Sequence, residues 1–136
     1  MRDMASVLLR QENRFLLVHN IKHGLRIGPV GGKAENGESI RACALRESKE
    51  ELSVDIKLVY RLGIYPAPSP EGTFRSHLYI AKITRGEPRI PCSELDKIGY
   101  FDWYSLSGMR RIMQLGFLNE NLCTALSDLQ KYLTKN

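Results

Sequence analysis

The chain has 136 residues, a length that fits one domain with a substantial buried core. Hydrophobic residues make up 43% and charged residues 26% of the sequence, which excludes an intrinsically disordered, fibrous or disulfide-scaffolded protein. The formal net charge of +5 can attract anionic ligands, but no long Lys/Arg block accompanies it. We therefore expect a single domain over residues 1–136 and no nucleic-acid partner.

The first part of the chain combines two apolar segments with a glycine-rich segment. Residues 4–9 and 15–19 are apolar and flank a short polar stretch, which predicts a β-hairpin. Residues 20–37 contain five glycines and one proline, which predicts a loop. Residues 39–52 contain neither glycine nor proline and are rich in helix-forming residues, so they predict a helix capped by Ser39 or by the residue before it.

The rest of the chain alternates between strands and turns before two helices. Residues 54–64 and 74–84 predict strands, and residues 66–72 predict a loop between them because they contain three prolines. An aromatic-rich strand is predicted at 98–104. Residues 109–115 predict a short helix ended by a glycine, and leucines spaced by three and four predict an amphipathic C-terminal helix. This order predicts an α/β (α+β) fold with a central mixed sheet.

The cysteines and the apolar segments bear on the cell compartment. Cys43, Cys92 and Cys123 cannot all pair within one chain, and their spacing matches no zinc-binding pattern. We expect reduced thiols, and a nucleophilic role for Cys43 would need a base that the sequence does not reveal. No apolar run approaches the length of a membrane span, and residues 1–10 lack the features of a signal peptide. These features predict a cytoplasmic protein with no membrane partner.

The chemically informative segment is the predicted helix that follows the glycine-rich loop. Glu47, Glu50 and Glu51 stand at positions i, i+3 and i+4, so their carboxylates lie on one face of that helix. Arg46 lies four residues before Glu50 and borders the same patch. Adjacent carboxylates repel one another unless a cation neutralises them, and Mg²⁺ and Mn²⁺ prefer oxygen ligands. The spacing therefore suits a divalent-cation site.

The same glutamates also suit a solvated acidic helix face that is paired with neighbouring arginines and a lysine. The glycine loop before the helix favours a ligand site instead. Gly31 and Gly32 allow the backbone to approach a ligand closely, and such a loop can offer a carbonyl to a metal or amides to a phosphate. A metal held there could offset the charge of a phosphate and activate a water molecule.

The run from Gly32 to Val54 resembles the signature of the Nudix hydrolase family, G-x5-E-x7-R-E-U-x-E-E-x-G-U, in which U is an aliphatic residue. The matching positions are Gly32, Glu38, Arg46, Glu47, Glu50, Glu51 and Val54. The resemblance implies the three-layer α/β/α sandwich of that family, built around a mixed sheet. It also implies a pyrophosphohydrolase that uses Mg²⁺ (or Mn²⁺).

The resemblance further implies a role for each matching residue. Glu50 and Glu51 would be the principal metal ligands, and Glu47 would be a ligand or the general base. A backbone carbonyl of Gly31 or Gly32 would complete the protein's share of the coordination.

Other residues would support this set of ligands. Arg46 would hold the glutamates in place by charge-assisted hydrogen bonds and so belong to the catalytic group. Glu38 would be a supporting acid near the metal. Many family members take a further carboxylate from a distant loop as base or ligand. Glu94 and Asp96 are the candidates here, and they could equally be plain surface charges.

Residues outside the signature would recognise the rest of the substrate. Aromatic rings can stack on a base, although aromatic residues in strands more often belong to the core. The aromatic candidates are Tyr79, Tyr100, Phe101 and Trp103. The polar candidates, which border the glycine loop, are His19, Asn20, His23 and Arg26.

Two positions depart from the signature. Ser48 replaces an aliphatic residue, and we expect it to share a packing face with Leu45 and Leu52, where it weakens burial by ~1–2 kcal/mol. Ser53 replaces the glycine at the helix end, where a positive φ would cost on the order of 1 kcal/mol. Neither change removes a carboxylate, so we expect activity to survive.

The resemblance leaves three functions open. The short chain is most similar to the MutT-like enzymes, so hydrolysis of a nucleoside triphosphate is the first expectation. Residues 69–72 resemble a loop of ADP-ribose and nucleotide-sugar pyrophosphatases, which are the alternative. A non-catalytic nucleotide sensor on the same fold is the third, because of the two serines. A nucleic-acid-binding or decapping role, which the net charge would suggest, would need a contiguous basic groove, and the sequence shows no such cluster. A small-molecule nucleotide is the expected partner, and small members of the family often form homodimers.

Overall fold

The computed structural model describes residues 2–136. Within them the strands are β1 (Arg2–Gln11), β2 (Arg14–Asn20), β3 (Arg26–Gly28), β4 (Val30–Lys33), β5 (Asp55–Ser69), β6 (Gly72–Arg85) and β7 (Ile98–Tyr104). The helices are α1 (Ile40–Leu52), α2 (Leu106–Gln114) and α3 (Glu120–Lys135), and a 3₁₀ turn covers Cys92–Glu94. Among these residues no helix combines the length and apolarity needed to cross a bilayer.

One mixed sheet joins the strands. Its main path is β3-β2-β1-β6-β5, while β4 pairs with β1 and β7 pairs with β2. β1 and β6 run parallel, and the other pairs are antiparallel. The predicted hairpin is present as β1 and β2, and the predicted mixed sheet is confirmed.

Side chains alternate along β1 and thereby divide the interior into two cores. Leu8 belongs to the core beneath α2 and α3, where it packs with residues such as Leu122. Val7 and Leu9 belong to the core beneath α1, which includes Leu52. Helices therefore cover both faces of the sheet, and the predicted α/β/α sandwich is confirmed.

The helix α1 begins and ends as the sequence predicts. The Oγ of Ser39 accepts a hydrogen bond from the backbone N–H of Ala42 at 3.1 Å, which satisfies one of the unpaired donors of the first turn. At the other end Ser53 adopts the left-handed conformation, with φ of 60° and ψ of 33°. The chain thus makes the turn that glycine makes in the family signature, with a serine in its place.

The prediction of a loop at 66–72 is wrong, because β5 continues to Ser69 and β6 starts at Gly72. Pro66 and Pro68 both take part in the antiparallel pairing with β6. β5 is the last strand of the main path, so a proline there need not interrupt a ladder on its outer side. Pro66 and Pro68 therefore lie in an edge strand, and only the turn at Pro70 and Glu71 remains of the predicted loop.

The prediction of an uninterrupted loop at 20–37 is also wrong, because β3 and β4 lie inside it. β4 pairs with β1 through the register Ala5 with Gly32 and Ser6 with Gly31. Glycine has a low strand propensity, so the pattern gave no strand signal. The pairing depends instead on how closely two backbones can approach.

Two details of the helices also differ from the predictions. The short helix starts at Leu106 rather than 109, because Ser105 caps it through a hydrogen bond from the N–H of Gly108 at 3.1 Å. In α1, Ser48 is fully buried as expected, but Leu45 is 46% exposed and lies off the packing face. α1 is turned so that Glu47 and Glu51, rather than Leu45, face the sheet.

Candidate active site

Gly31 and Gly32 lie in β4, where neither position has room for a side chain. A Cβ on Gly31 would stand 2.1 Å from the carbonyl oxygen of Ala5, and a Cβ on Gly32 would stand 2.3 Å from Oε1 of Glu47. Their missing side chains let β1 and the Glu47 carboxylate lie directly against the β4 backbone. The glycines thus allow β1 and Glu47 to approach the β4 backbone without a positive φ, and the predicted approach to a ligand stays a prediction.

Arg46 holds four carboxylates around one guanidinium group, and one of them, Glu35, forms an ion pair with its Nε at 3.2 Å. Arg46 donates two hydrogen bonds to Glu38, at 2.7 and 2.9 Å. It also donates to Glu47 at 3.0 Å, to Glu50 at 3.2 Å and to the carbonyl oxygen of Lys33 at 3.1 Å. These contacts join α1 to the segment that precedes it, and they match the holding role that the signature implies.

Glu51 is the most deeply buried carboxylate of the site, with 2% of its surface exposed. Its Oε1 accepts a hydrogen bond from the N–H of Gly31 at 2.9 Å. Its Oε2 accepts one from the ammonium group of Lys97 at 2.6 Å. Both oxygens of Glu51 are therefore bound by donors of the protein itself.

Lys97 lies between the 3₁₀ turn and β7, and no motif in the sequence pointed to it. Its ammonium nitrogen is also 4.0 Å from Oε1 of Glu94, so this candidate carboxylate reaches the network through Lys97. The other candidate, Asp96, is exposed. A single lysine in a loop carries no motif, and its only sequence signal is its position beside these two acids.

Burial and ion pairing act in opposite directions on the acidic groups. Burial raises the pKa of Glu51 to about 7, although Lys97 opposes the shift. Burial likewise raises the pKa of Glu47, against the effect of Lys97 and Arg46. The hydrogen bonds from Arg46 lower the pKa of Glu38 to about 2. Glu38 is thus firmly ionised, whereas burial disfavours the ionised forms of Glu47 and Glu51 because it removes their hydration water.

A cavity of about 620 Å³ opens beside these residues, within the size range of small-molecule sites. Its lining includes Gly31, Gly32, Arg46 and Glu47, together with the tip of the β5–β6 hairpin and the start of α3. The cationic side chains in the lining are Lys22, Arg26, Lys33, Arg46 and Lys97. The acidic side chains in the lining are Glu35, Glu47, Glu71 and Glu120. The five cations offer hydrogen-bond donors to a ligand that carries phosphate groups.

Comparison with known proteins identifies the family. A NUDIX domain model matches residues 1–118. The chain belongs to the Nudix hydrolase family. A curated relative, the NAD-capped RNA hydrolase NudC of Vibrio atlanticus (strain LGP32), is 30% identical over 101 residues. That match covers 74% of this chain but only 37% of the relative, so the chain corresponds to part of that protein.

Solved structures of Nudix proteins share the fold. The MutT Nudix hydrolase from Burkholderia pseudomallei is 22% identical, with a TM-score of 0.71 over 79% of this chain and 84% of that one. The MutT protein from Methanosarcina mazei Go1 is 15% identical, with a TM-score of 0.79 over 96% and 94%. The C. elegans Ap4A hydrolase is 14% identical, with a TM-score of 0.79 over the full length of both chains. At these identities the likeness establishes the architecture alone.

Nudix enzymes generally use divalent metal ions, and the donor set of this chain fits such an ion. Glu47, Glu50 and Glu51 can supply carboxylate oxygens, and Gly32, whose backbone lies against Glu47, can supply a carbonyl oxygen. Every one of these donors is a hard oxygen of the kind that Mg²⁺ prefers. Within residues 2–136, however, no three acidic, histidine or cysteine groups stand together as a ready-made metal cluster. The glutamates are instead paired with Arg46 and Lys97, and they would have to exchange these partners to bind a metal.

The polar substrate candidates of this Nudix domain lie at the cavity, with one exception. Arg26, Asn20 and His23 line it. The guanidinium group of Arg26 already donates to two backbone carbonyls of the α2–α3 connection, at 2.9 and 3.1 Å. His19 is hydrogen-bonded to the hydroxyl of Tyr104 at 2.6 Å instead.

The aromatic candidates lie elsewhere. Tyr79 is buried, and Trp103 packs against the core beneath α1 together with Phe101. Tyr100 is exposed, and none of the four is among the described residues that line the cavity. The aromatic ring that does line it is that of Phe74, which the sequence analysis did not select. We therefore do not assign Tyr79 or Trp103 a part in substrate binding.

Proposed function

We propose that this Nudix hydrolase catalyses Mg²⁺- or Mn²⁺-dependent hydrolysis of the P–O–P bridge in a nucleoside diphosphate derivative, with a nucleoside triphosphate as the first candidate substrate. The observation that carries the proposal is that Arg46 binds Glu38, Glu47 and Glu50, while Arg46 and Glu47 also line the cavity. If the glutamates only formed a solvated acidic helix face, neither the contact between Gly32 and Glu47 nor the cavity beside Glu47 would be needed.

Different residues of the site would bind the phosphate groups, orient the glutamates and accept the proton. Cationic side chains of the lining would hold the phosphate groups, and Arg46 would orient the glutamates. A water oxygen forms a bond to one phosphorus, the bridging P–O bond breaks, and the leaving phosphate keeps the electron pair. Glu47 would accept the proton of the water, because it is the α1 carboxylate that reaches both the β4 backbone and the cavity. The metal, when bound, would supply charge neutralisation at the phosphates.

A second candidate substrate is a dinucleotide or another compound with groups on both ends of the diphosphate. The observation in its favour is the 30% identity to the NAD-capped RNA hydrolase NudC. ADP-ribose and nucleotide sugars belong to the same chemical class. These substrates would leave two monophosphate products, whereas a nucleoside triphosphate would release pyrophosphate or inorganic phosphate.

The proposal is tested by incubating the purified chain with nucleoside triphosphates, ADP-ribose, UDP-sugars and NAD in Mg²⁺ or Mn²⁺ and separating the products. We expect turnover of at least one of these compounds, lost on treatment with EDTA. Glu47→Gln should lower kcat by roughly 10²–10⁴-fold, as expected for loss of a general base. Glu87→Gln, an exposed glutamate outside the cavity lining, is the matched control and should keep wild-type kcat.

Two results would contradict the proposal. Nucleotide binding without turnover in either metal would indicate the non-catalytic sensor instead. Turnover that survives Glu47→Gln at the wild-type rate would show that the base lies elsewhere, with Glu94 as the next carboxylate to replace.

A further inference from the structure

The pairing of Lys97 with Glu51 resembles an occupied cation site in which the cation belongs to the protein. Within residues 2–136, Lys97 is the ion-pair partner that the structure gives Glu51, at 2.6 Å. Arg46 is committed to the other carboxylates of the signature, Glu38, Glu47 and Glu50. A carboxylate as buried as Glu51 cannot remain ionised at low cost without a counter-charge.

The backbone around Lys97 is fixed, so the ammonium group is presented at a defined place. The N–H of Lys97 donates to the carbonyl oxygen of Glu94 at 3.0 Å, and its own carbonyl accepts from the N–H of Ile21 at 2.9 Å. These bonds tie the turn before β7 to the end of β2. The side chain is only one-third exposed and lines the same cavity as Glu47.

We propose that Lys97 is an internal counter-cation that holds Glu51 in the metal-free enzyme and competes with the divalent metal for this carboxylate. The inference rests on the proposed function, since it takes Glu51 as a metal ligand. It goes beyond that function by giving Lys97 a positioning role that sets the metal affinity. When the metal displaces it, the tethered ammonium stays in the cavity, where phosphate oxygens of a substrate can accept its hydrogen bonds.

The consequence is that the site binds a divalent metal with lower affinity than its carboxylates would give without Lys97. A divalent ion and the ammonium group of Lys97 would repel each other across the one Glu51 carboxylate, so metal binding costs the free energy of the Lys97 ion pair. Removing the lysine should therefore tighten metal binding while it destabilises the metal-free fold. A lysine that only supports the structure would give the second effect without the first.

The test measures Mn²⁺ binding in the absence of nucleotide, from the electron paramagnetic resonance signal of free Mn²⁺. We expect Lys97→Met to lower the Kd for Mn²⁺ by about tenfold relative to wild type, within the usual range of coupling between two ligands. Lys22→Met removes the same charge from the same cavity and is the matched control. Its side chain is exposed, so we expect its Kd to stay within about twofold of wild type.

A second variant and a second measurement guard against a folding defect. Lys97→Gln removes the charge but keeps an amide donor for Glu51, and it should also bind Mn²⁺ more tightly. The Tm of both Lys97 variants in EDTA should lie below that of wild type, and saturating Mn²⁺ should close the gap.

The outcomes separate this inference from the proposed function. If wild type binds Mn²⁺ and Glu51→Gln does not, but neither Lys97 variant binds more tightly than Lys22→Met, the counter-cation role is overturned and the metal site stands. If wild type binds no Mn²⁺, or Glu51→Gln binds it as wild type does, both the metal assignment and the role of Lys97 are overturned.

Discussion

At the scale of single residues, the site depends on a position that has no side chain. Gly32 lies against the carboxylate of Glu47, with 2.3 Å between Oε1 and the place where a Cβ would stand. Because that distance is too short for any real contact, the carboxylate end of the flexible Glu47 side chain must move away from β4 in Gly32→Ala. We expect the variant to lose stability and to bind Mn²⁺ at least several-fold more weakly, measured by chemical unfolding and by the signal of free Mn²⁺.

The matched control for this substitution is Gly108→Ala. Gly108 lies in the first turn of α2, where an added Cβ would meet its nearest neighbour at an ordinary 3.4 Å. In that helix alanine should be neutral or slightly stabilising, because glycine is the poorer helix former. If Gly32→Ala behaved as Gly108→Ala does, the close approach of Glu47 to the backbone would have no functional meaning.

The residues of the site differ in how far the sequence alone could predict them. The helix that carries Glu47, Glu50 and Glu51 was predictable because helical periodicity is a local property, whereas their role as metal ligands stays a prediction. The left-handed conformation of Ser53 was predictable for the same reason, since it ends that helix. Lys97 was not, because it reaches Glu51 from 46 positions away and only the folded sheet brings the two together.

At the scale of elements, β1 and β6 form the one parallel pair of the described sheet, and Asp3 supports it. Asp3 is opposite Arg75 in the register and binds both Arg75 and His77 through its carboxylate. Hydrogen bonds with His77 and Arg75 lower the pKa of Asp3 below its ordinary value. The ion pair therefore stabilises the fold at neutral pH and is lost on acidification.

The pH dependence of this contribution follows from the direction of the shift. Because the pKa of Asp3 is lower in the folded state, its contribution is complete above the unfolded pKa of about 3.9 and disappears as the pH falls through the folded value. We expect Asp3→Asn to reduce the free energy of unfolding at pH 7 and the difference from wild type to shrink between pH 5 and pH 3. Urea unfolding across that range measures it.

Glu87→Gln, an exposed glutamate, should show no such convergence with wild type. A difference between Asp3→Asn and wild type that stayed constant to pH 3 would mean that the carboxylate contributes by packing rather than by charge.

The elements that the sequence predicted poorly are those whose pairing depends on partners distant in the chain. The helix α1 and the β1–β2 hairpin are set by local patterns, and both were predicted. The strand β4 has glycine in two of its four positions, and the end of β5 carries prolines, so local propensity argued against β4 and against that end of β5. They are strands because β1 and β6 offer them free edges, which no local pattern reveals.

At the scale of the whole molecule, the sandwich brings three distant parts of the chain to one cavity. These parts are the strand β4, the turn that carries Lys97, and the acidic flank of α1, which consists of Glu47, Glu50 and Glu51. They meet only when the sheet is complete. A ligand that binds this junction therefore binds the folded state and not the unfolded chain. Metal binding and global stability must be linked.

This linkage gives a prediction that needs no substrate. At a Mg²⁺ concentration of 100 times its Kd, the folded state should gain about 2.7 kcal/mol, if the unfolded chain does not bind the ion. For a chain of this length the gain corresponds to an increase in Tm of roughly 5–10 °C over the EDTA-treated protein. Differential scanning fluorimetry at matched ionic strength measures the shift, and added EDTA should reverse it.

The variants assign the effect to the acidic flank of α1. Glu51→Gln should lose most of the Mg²⁺-dependent shift, because it removes a charged oxygen donor at the centre of the junction, whereas Glu87→Gln should keep the full shift. An equal rise in Tm for Glu51→Gln and wild type would place the ion elsewhere on the surface. A rise confined to proteins that keep Glu51 would tie the stability of the whole sandwich to the carboxylate that Lys97 neutralises in the metal-free fold.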